Sequence, residues 1–286
     1  MKKLTAIVLI LGTLFSCGED STEAQLIFKF KMDPTQVRLN NIGEPATVPD
    51  GHAAQSPDFN SISAHYIELA PNALTPLGAG EILYKNAETN AGGSTAIDFS
   101  KAIIVAEDEI FISIPISAIE KGNYSWLRVS LAYQNFNIKL DAEVSGNNLE
   151  NLDATAASFV GFNTYIKNYK VKDELVTVNA NKSQGYVGVE TQWSLDEFQA
   201  PPGATTVPNP IFNTSPIPAG SCVVTGEFAS PLVITGDETE DITIIMSLST
   251  NNSFEWEDGN GNGKYEPLLG ELVVDMGLRG LIPMVE

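Results

Sequence analysis

Leu127-Arg128-Val129-Ser130-Leu131-Ala132-Tyr133-Gln134-Asn135-Phe136-Asn137-Ile138-Lys139-Leu140-Asp141-Ala142-Glu143 fixes the fold class more plainly than any other part of the chain. In its first half Leu127, Val129, Leu131 and Tyr133 alternate with Arg128, Ser130 and Ala132. In its second half Phe136, Ile138, Leu140 and Ala142 alternate with Asn137, Lys139, Asp141 and Glu143. A period of two sends successive side chains to opposite faces of an extended chain. One apolar and one polar face describe antiparallel strands with a core on one side. The two halves read as two strands in succession.

The same alternation recurs in both directions. Leu26, Phe28, Phe30 and Met32 form one face, Ile62, Ala64 and Tyr66 another, and Ile110, Ile112 and Ile114 a third. Near the end Ile242, Ile244, Met246 and Leu248 form a fourth. Turn signals such as Ala91-Gly92-Gly93 and Gly146-Asn147-Asn148 separate the runs. No ten-residue stretch carries apolar residues at helical spacing. The pattern predicts an all-β protein, an antiparallel β-sandwich. It is either one large sandwich or two consecutive modules, 26–160 and 161–286, with the boundary between Glu150 and Asp173. Residues 201–220 hold six prolines and no charge, which predicts a long surface loop or an extended segment wrapping a sheet.

Ile119-Glu120-Lys121-Gly122-Asn123-Tyr124 leads into Leu127, and Ile217-Pro218-Ala219-Gly220-Ser221-Cys222 leads faintly alike into Val223. The first resembles the Gly-x-Tyr lead-in to a strand in prealbumin-like and immunoglobulin-like modules of Bacteroidota lipoproteins. That resemblance implies a tight turn at Gly122 and a corner anchored by Tyr124.

The N-terminus has a different character. Lys2 and Lys3 precede an apolar run from Leu4 to Phe15, and then comes Leu14-Phe15-Ser16-Cys17. A basic start and a short apolar run before a small residue make a secretory signal over 1–16. The run is shorter than the roughly 20 apolar residues of a membrane span. The last four residues resemble a bacterial lipobox, which implies cleavage before Cys17 and lipidation of Cys17. Residues 17–25 form a short acidic tether, Gly18-Glu19-Asp20-Ser21-Thr22-Glu23, that resembles the tag sending Bacteroidota lipoproteins to the exterior of the outer membrane. With Cys17 acylated, Cys222 has no partner within the chain and reads as a buried strand thiol.

The composition excludes some partners. Sixteen basic residues stand against 36 acidic ones, a net charge of −20, and loss of Lys2 and Lys3 takes it to about −22. Such a surface repels nucleic acid and anionic headgroups and favours divalent cations. The acyl chains are then the membrane contact, at about 0.8 kcal/mol per buried methylene.

Asp258-Gly259-Asn260-Gly261-Asn262-Gly263-Lys264-Tyr265-Glu266 is the stretch with the clearest chemistry. Oxygen side chains stand at positions 1, 3 and 5, glycine at 6, and a carboxylate at 9. Calcium takes about six to eight hard oxygens at roughly 2.3–2.6 Å, and alternating side chains around a glycine turn supply them. Lys264 offers its backbone carbonyl. The stretch resembles an EF-hand or dockerin-type calcium loop over 258–271. It departs at position 12, where Leu269 stands in place of glutamate, and Glu271 or Asp275 is left to fill that place. The expected ligands are Asp258, Asn260, Asn262, Lys264, Glu266 and Glu271, and the expected cofactor is a structural calcium ion. The flanks, 253–257 and 272–275, read as strands. The plain alternative is an Asn-Gly-rich hairpin tip without metal.

His52 and His65 are weak transition-metal candidates, 13 residues apart, which is no recognised ligand spacing. The chain has no Gly-x-Ser-x-Gly elbow, no His-Glu-x-x-His and no phosphate-cradling loop. A carboxylate pair is open to a hydrolase, but 36 acidic residues single out no pair. Trp193, in Gln192-Trp193-Ser194, is the candidate for an exposed aromatic, whereas Trp126 suits a core. Gly51-His52-Ala53-Ala54-Gln55, His65-Tyr66-Ile67-Glu68-Leu69 and the run from Glu257 to Leu281 are similar to stretches of flavobacterial outer-membrane lipoproteins. That resemblance implies a location and no activity. The leading expectation is a non-catalytic surface binding or accessory module with structural calcium, its ligand a glycan or a protein. A hydrolase and a histidine-based metal-handling protein are the alternatives.

Overall fold

The computed structural model describes residues 23–39, 45–144, 146–205, 217, 221–276 and 278–286. The leader over 1–16, Cys17 and most of the acidic tether lie outside the described residues, as does most of 201–220. The chain is all-β, and its only helical turns are three short 3₁₀ turns among the described residues. No described helix is long and apolar enough to cross a membrane.

The first six strands are β1 (Gln25–Asp33), β2 (His52–Gln55), β3 (Asp58–Ala70), β4 (Glu81–Lys85), β5 (Glu88–Thr89) and β6 (Ala96–Asp98). The next six are β7 (Ile110–Pro115), β8 (Gly122–Val144), β9 (Asn147–Phe159), β10 (Asn163–Lys170), β11 (Leu175–Ser183) and β12 (Tyr186–Thr191). The last six are β13 (Leu195–Gln199), β14 (Val223–Ile234), β15 (Ile242–Ser249), β16 (Phe254–Glu257), β17 (Val273–Asp275) and β18 (Leu281–Val285).

A seven-stranded sheet in the order β13-β12-β9-β8-β3-β4 forms the centre, with β14 pairing the first part of β8. A four-stranded sheet, β18-β15-β1-β7, packs on it through Leu26, Phe28, Phe30, Ile244, Met246 and Leu248. A three-stranded sheet, β17-β16-β2, and a second four-stranded sheet, β11-β10-β6-β5, cover the other half of the centre. Most pairs are antiparallel, but β1 and β15 run parallel in register from Leu26↔Ile242 to Asp33↔Ser249. Strands on either side of residue 160 pair directly: β1 with β15, β2 with β16, β8 with β14 and β9 with β12. A line at 160/161 therefore runs through shared sheets and a shared core.

The deciding stretch belongs to one 23-residue strand, β8. Its change of phase is a β-bulge. Ser63 faces Tyr133 and Ala64 faces Leu131, so Ala132 has no counterpart on β3. An extra residue rotates everything after it by one face. Leu127, Val129 and Leu131 before it and Phe136, Ile138 and Leu140 after it thus reach two adjoining cores, with Phe59 packed against both, while Tyr133 joins a third. Two other expected faces change for the same reason. His65 is an extra residue in β3, so the core face passes from Ile62 and Ala64 to Ile67 and Leu69 rather than through Tyr66. Phe111 is extra in β7; it is buried, and Ile110 is turned out to solvent.

Gly122 opens β8 without a positive φ, and a Cβ there would meet the Tyr124 ring at 3.3 Å. Its role is room for that ring rather than a tight turn. Tyr124 is buried and its hydroxyl donates to Glu120 O at 2.7 Å, the bond of a tyrosine corner. Cys222 is buried, its Sγ donating to Leu131 O at 3.2 Å, and burial pushes its thiol up to about 11.

Candidate functional site

The described residues do not fully cover the second half of the central sheet. Beyond Phe254 and Met276 its core face continues as an apolar groove of about 520 Å³. The floor is built by alternation: Ile138, Leu140 and Ala142 from β8, Leu152 and Ala156 from β9, and Val187 and Val189 from β12. Edge strand β13 adds Asp196 and Phe198, which face Val189 and Val187 in register. The opposite wall is Tyr265, Pro267 and Leu268. Thr191, Trp193 and Ser194, between β12 and β13, form the mouth.

Local sequence sets the mouth. The Thr191 hydroxyl accepts from the backbone N–H of Trp193 at 3.2 Å and of Ser194 at 3.1 Å, and Thr191 N–H donates to Ser194 O at 2.8 Å. A side-chain oxygen that takes up backbone donors makes a turn of its own. Trp193 sits inside that turn and is 58% exposed, as its polar neighbours suggest. The other two tryptophans, Trp126 and Trp256, are buried. No Lys or Arg among the described residues lines the groove. The Asp196 side chain lines the groove, and its carboxylate takes no hydrogen bond or ion pair from any described residue.

The loop over 258–271 supplies the wall. Its flanks are strands as expected, β16 and β17. Asp258 Oδ1 accepts from the N–H groups of Gly261 and Asn262, and Oδ2 from that of Gly263 at 2.8 Å. Asn260 Oδ1 accepts from Asn262 N–H, and Asn262 Oδ1 from Lys264 N–H. Gly261 and Gly263 have φ of 71° and 73°, which suits glycine. The Nδ2 groups of Asn260 and Asn262 both donate to Glu266 Oε2 at 2.7 Å. Lys264 turns its ammonium outward to Asp141 and Glu150, while its carbonyl accepts from the buried Trp256 Nε1 at 3.1 Å. Tyr265 O accepts from Asp141 N–H, which ties the loop to β8.

Leu269, at position 12, is solvent-exposed, and Glu271 is turned in, 9% exposed. Glu271 Oε2 accepts from Glu266 N–H at 2.6 Å, but Oε1 is buried with no hydrogen-bond partner. Burial, then the neighbouring charges of Asp258 and Glu266, push its carboxyl above the usual range. Asp275 is committed elsewhere, to Arg279. No group of three or more His, Cys, Asp or Glu side chains among the described residues is gathered closely enough to hold a metal ion. In this arrangement the loop's carboxylates and amides are bonded to one another.

The structure does not bring His52 and His65 together. His52 Nδ1 meets Glu255, which also pairs with Arg38 and Arg279 in a buried charge network. These arginines clamp Thr47 O, Asn252 O and Leu39 O, so the network organises loops. His65 is buried, meets Glu88 at 3.0 Å and stacks on Phe162; burial pushes its imidazole down. The two imidazoles share no partner among the described residues.

A second cavity, about 560 Å³, is polar and is lined by Asp58 and Asp153 among others. Its amides saturate one another: Asn60 Nδ2 donates to Asn135 and Asn137, and Thr155 to Asn137. Lys139 beside Asp153 holds that carboxyl below its usual range, the reverse of what a general acid needs.

Sequence reasoning reached Trp193 and the loop but missed the groove that joins them. Its floor comes from three strands whose neighbours are fixed only by the fold. No family model matches this chain, and neither a curated protein nor a solved structure does.

Proposed function

We propose that this chain is a non-catalytic binding module, anchored in a bacterial outer membrane through lipid on Cys17, with the apolar groove as its ligand site and a calcium ion in the loop over 258–271. The groove carries the reading. Protein interiors fill to crystalline density, so an apolar space of about 520 Å³ with an exposed tryptophan at its mouth suits a ligand better than a core.

The anchor rests on the leader, the lipobox-like Leu14-Phe15-Ser16-Cys17 and the acidic tether, which together favour the exterior face. The calcium reading rests on Glu271, a buried carboxylate oxygen without a hydrogen-bond partner beside two further acids. A dication would satisfy that oxygen once the loop's carboxylates exchange their internal hydrogen bonds for it. Asp258, Asn260, Asn262, Glu266 and Glu271 are the side-chain donors and Lys264 the carbonyl donor. Calcium supplies positive charge and cross-links both ends of the loop, so its role is to stiffen the wall of the groove.

The test is a melting-temperature screen of wild type and Val189→Trp against apolar molecules with anionic, cationic and neutral headgroups. A ligand that binds only the folded state raises the melting point. At least one compound is expected to raise it in wild type alone, since tryptophan at 189 fills the floor. A screen in which every compound leaves wild type unmoved, or moves both proteins equally, overturns the reading.

A further inference from the structure

The groove's lining also selects among ligands; resting on the groove as the binding site, we infer that it takes an uncharged apolar molecule and rejects its anionic counterpart. Three observations carry this. Among the described residues the lining contains no Lys or Arg, so an acyl carboxylate, sulfonate or phosphate entering it finds no positive partner there. An anion moved from water to an apolar site without one is costly. At the rim stands Asp196, whose carboxylate no described residue pairs, on a chain with net charge −20. That rim repels a second negative charge.

Apart from Asp196, the polar side chains at the mouth are hydroxyls. Thr191 and Ser194 share a hydrogen bond at 3.2 Å at the mouth, beside Trp193. The Thr191 hydroxyl is taken up by the N–H groups of Trp193 and Ser194, so Ser194 is the hydroxyl with capacity left for one neutral oxygen or nitrogen at the end of an otherwise apolar body. Trp193, Phe198 and Tyr265 add aromatic surface to the lining. The floor of small and branched side chains, Ala142, Ala156, Val187 and Val189, leaves the depth for it.

N-phenyl-1-naphthylamine and 8-anilinonaphthalene-1-sulfonate share a ring system and differ by one sulfonate, so fluorescence titration of purified, detergent-free protein with each isolates the charge. The neutral dye is expected to saturate wild type with at least about tenfold higher affinity than the sulfonate. Val189→Trp and the surface change Trp193→Ala should each weaken the neutral dye by about tenfold. Asp196→Lys should bring the sulfonate to within about threefold of the neutral dye. Equal affinity for both dyes, with both lost in Val189→Trp, overturns the charge selection and leaves the groove as the site. Binding of neither dye, or binding indifferent to both groove variants, overturns the groove itself and this inference with it.

Discussion

Glu271 and Glu190 show how the same side chain acquires opposite tendencies from its surroundings. Glu271 is pushed upward by burial and by Asp258 and Glu266. A carboxylate with a raised folded pKa costs stability when ionised; that cost is full above the folded pKa and vanishes below the unfolded value near 4.3. Glu271→Gln keeps an acceptor for Glu266 N–H and removes the charge. It is expected to raise the melting temperature of the calcium-free protein at pH 7 and to abolish any rise on adding calcium. A lower melting temperature without calcium, or an unchanged calcium response, contradicts the metal reading. At Glu190 burial raises the carboxyl, but N–H groups of Lys172, Glu174 and Asp173 outweigh it and hold the pKa below its usual range. Its stabilisation is present above the unfolded pKa and is lost as pH falls through the lowered folded value. Glu190→Gln should therefore destabilise at pH 7, with the difference closing as acid unfolding is followed downward. Glu68 and Arg128 are wholly buried and face each other at 3.6 Å, with Glu68 Oε1 accepting from Gly78 and Gly80 N–H. Glu68→Ala strands the guanidinium and is expected to cost about 3–5 kcal/mol in chemical denaturation.

At the scale of elements the bulges do most to separate expectation from structure. Alternation located β1 and β15 and the two halves of β8, because a half-buried strand writes its burial directly into a period of two. Whether a change of phase marks two strands or one bulged strand depends on the partner, β3, which no local pattern names. The parallel pairing of β1 with β15 is hidden for the same reason, since 216 positions separate Leu26 from Ile242. Short range favours the reader. The Tyr124 corner and the Asx-bonded loop were legible because their hydrogen bonds span only a few residues. The groove was not, because β8, β9 and β12 build it together, and only Trp193 betrayed it as an aromatic among polar neighbours. The corner gives a prediction at this scale: Tyr124→Phe keeps the buried ring and deletes one hydrogen bond, leaving Glu120 O without that donor. The expected loss is about 1 kcal/mol in denaturant midpoint stability at constant slope.

Across the whole molecule the sheets interleave the chain's two halves. Beginning and end meet in β1, β15 and β18, and the centre is completed by β14 and β12. Residues 26–160 alone would leave the buried face of β1 without Ile244, Met246 and Leu248. That fragment is expected to show no cooperative unfolding transition by circular dichroism, whereas the full chain does. The interleaving also places the groove between a rigid floor and a wall that belongs to the C-terminal loop, so ligand and loop occupancy act on one surface. Methionine methyl groups report on it cleanly. Met276 lines the groove, whereas Met32 and Met246 lie in the separate core beneath β1. The most direct measurement is a titration of N-phenyl-1-naphthylamine into protein labelled with ¹³C at its methionine methyls, read by NMR. The Met276 resonance is expected to shift to saturation while those of Met32 and Met246 stay in place. A Met276 resonance that does not move while the dye binds would put the ligand elsewhere and remove the groove as the site.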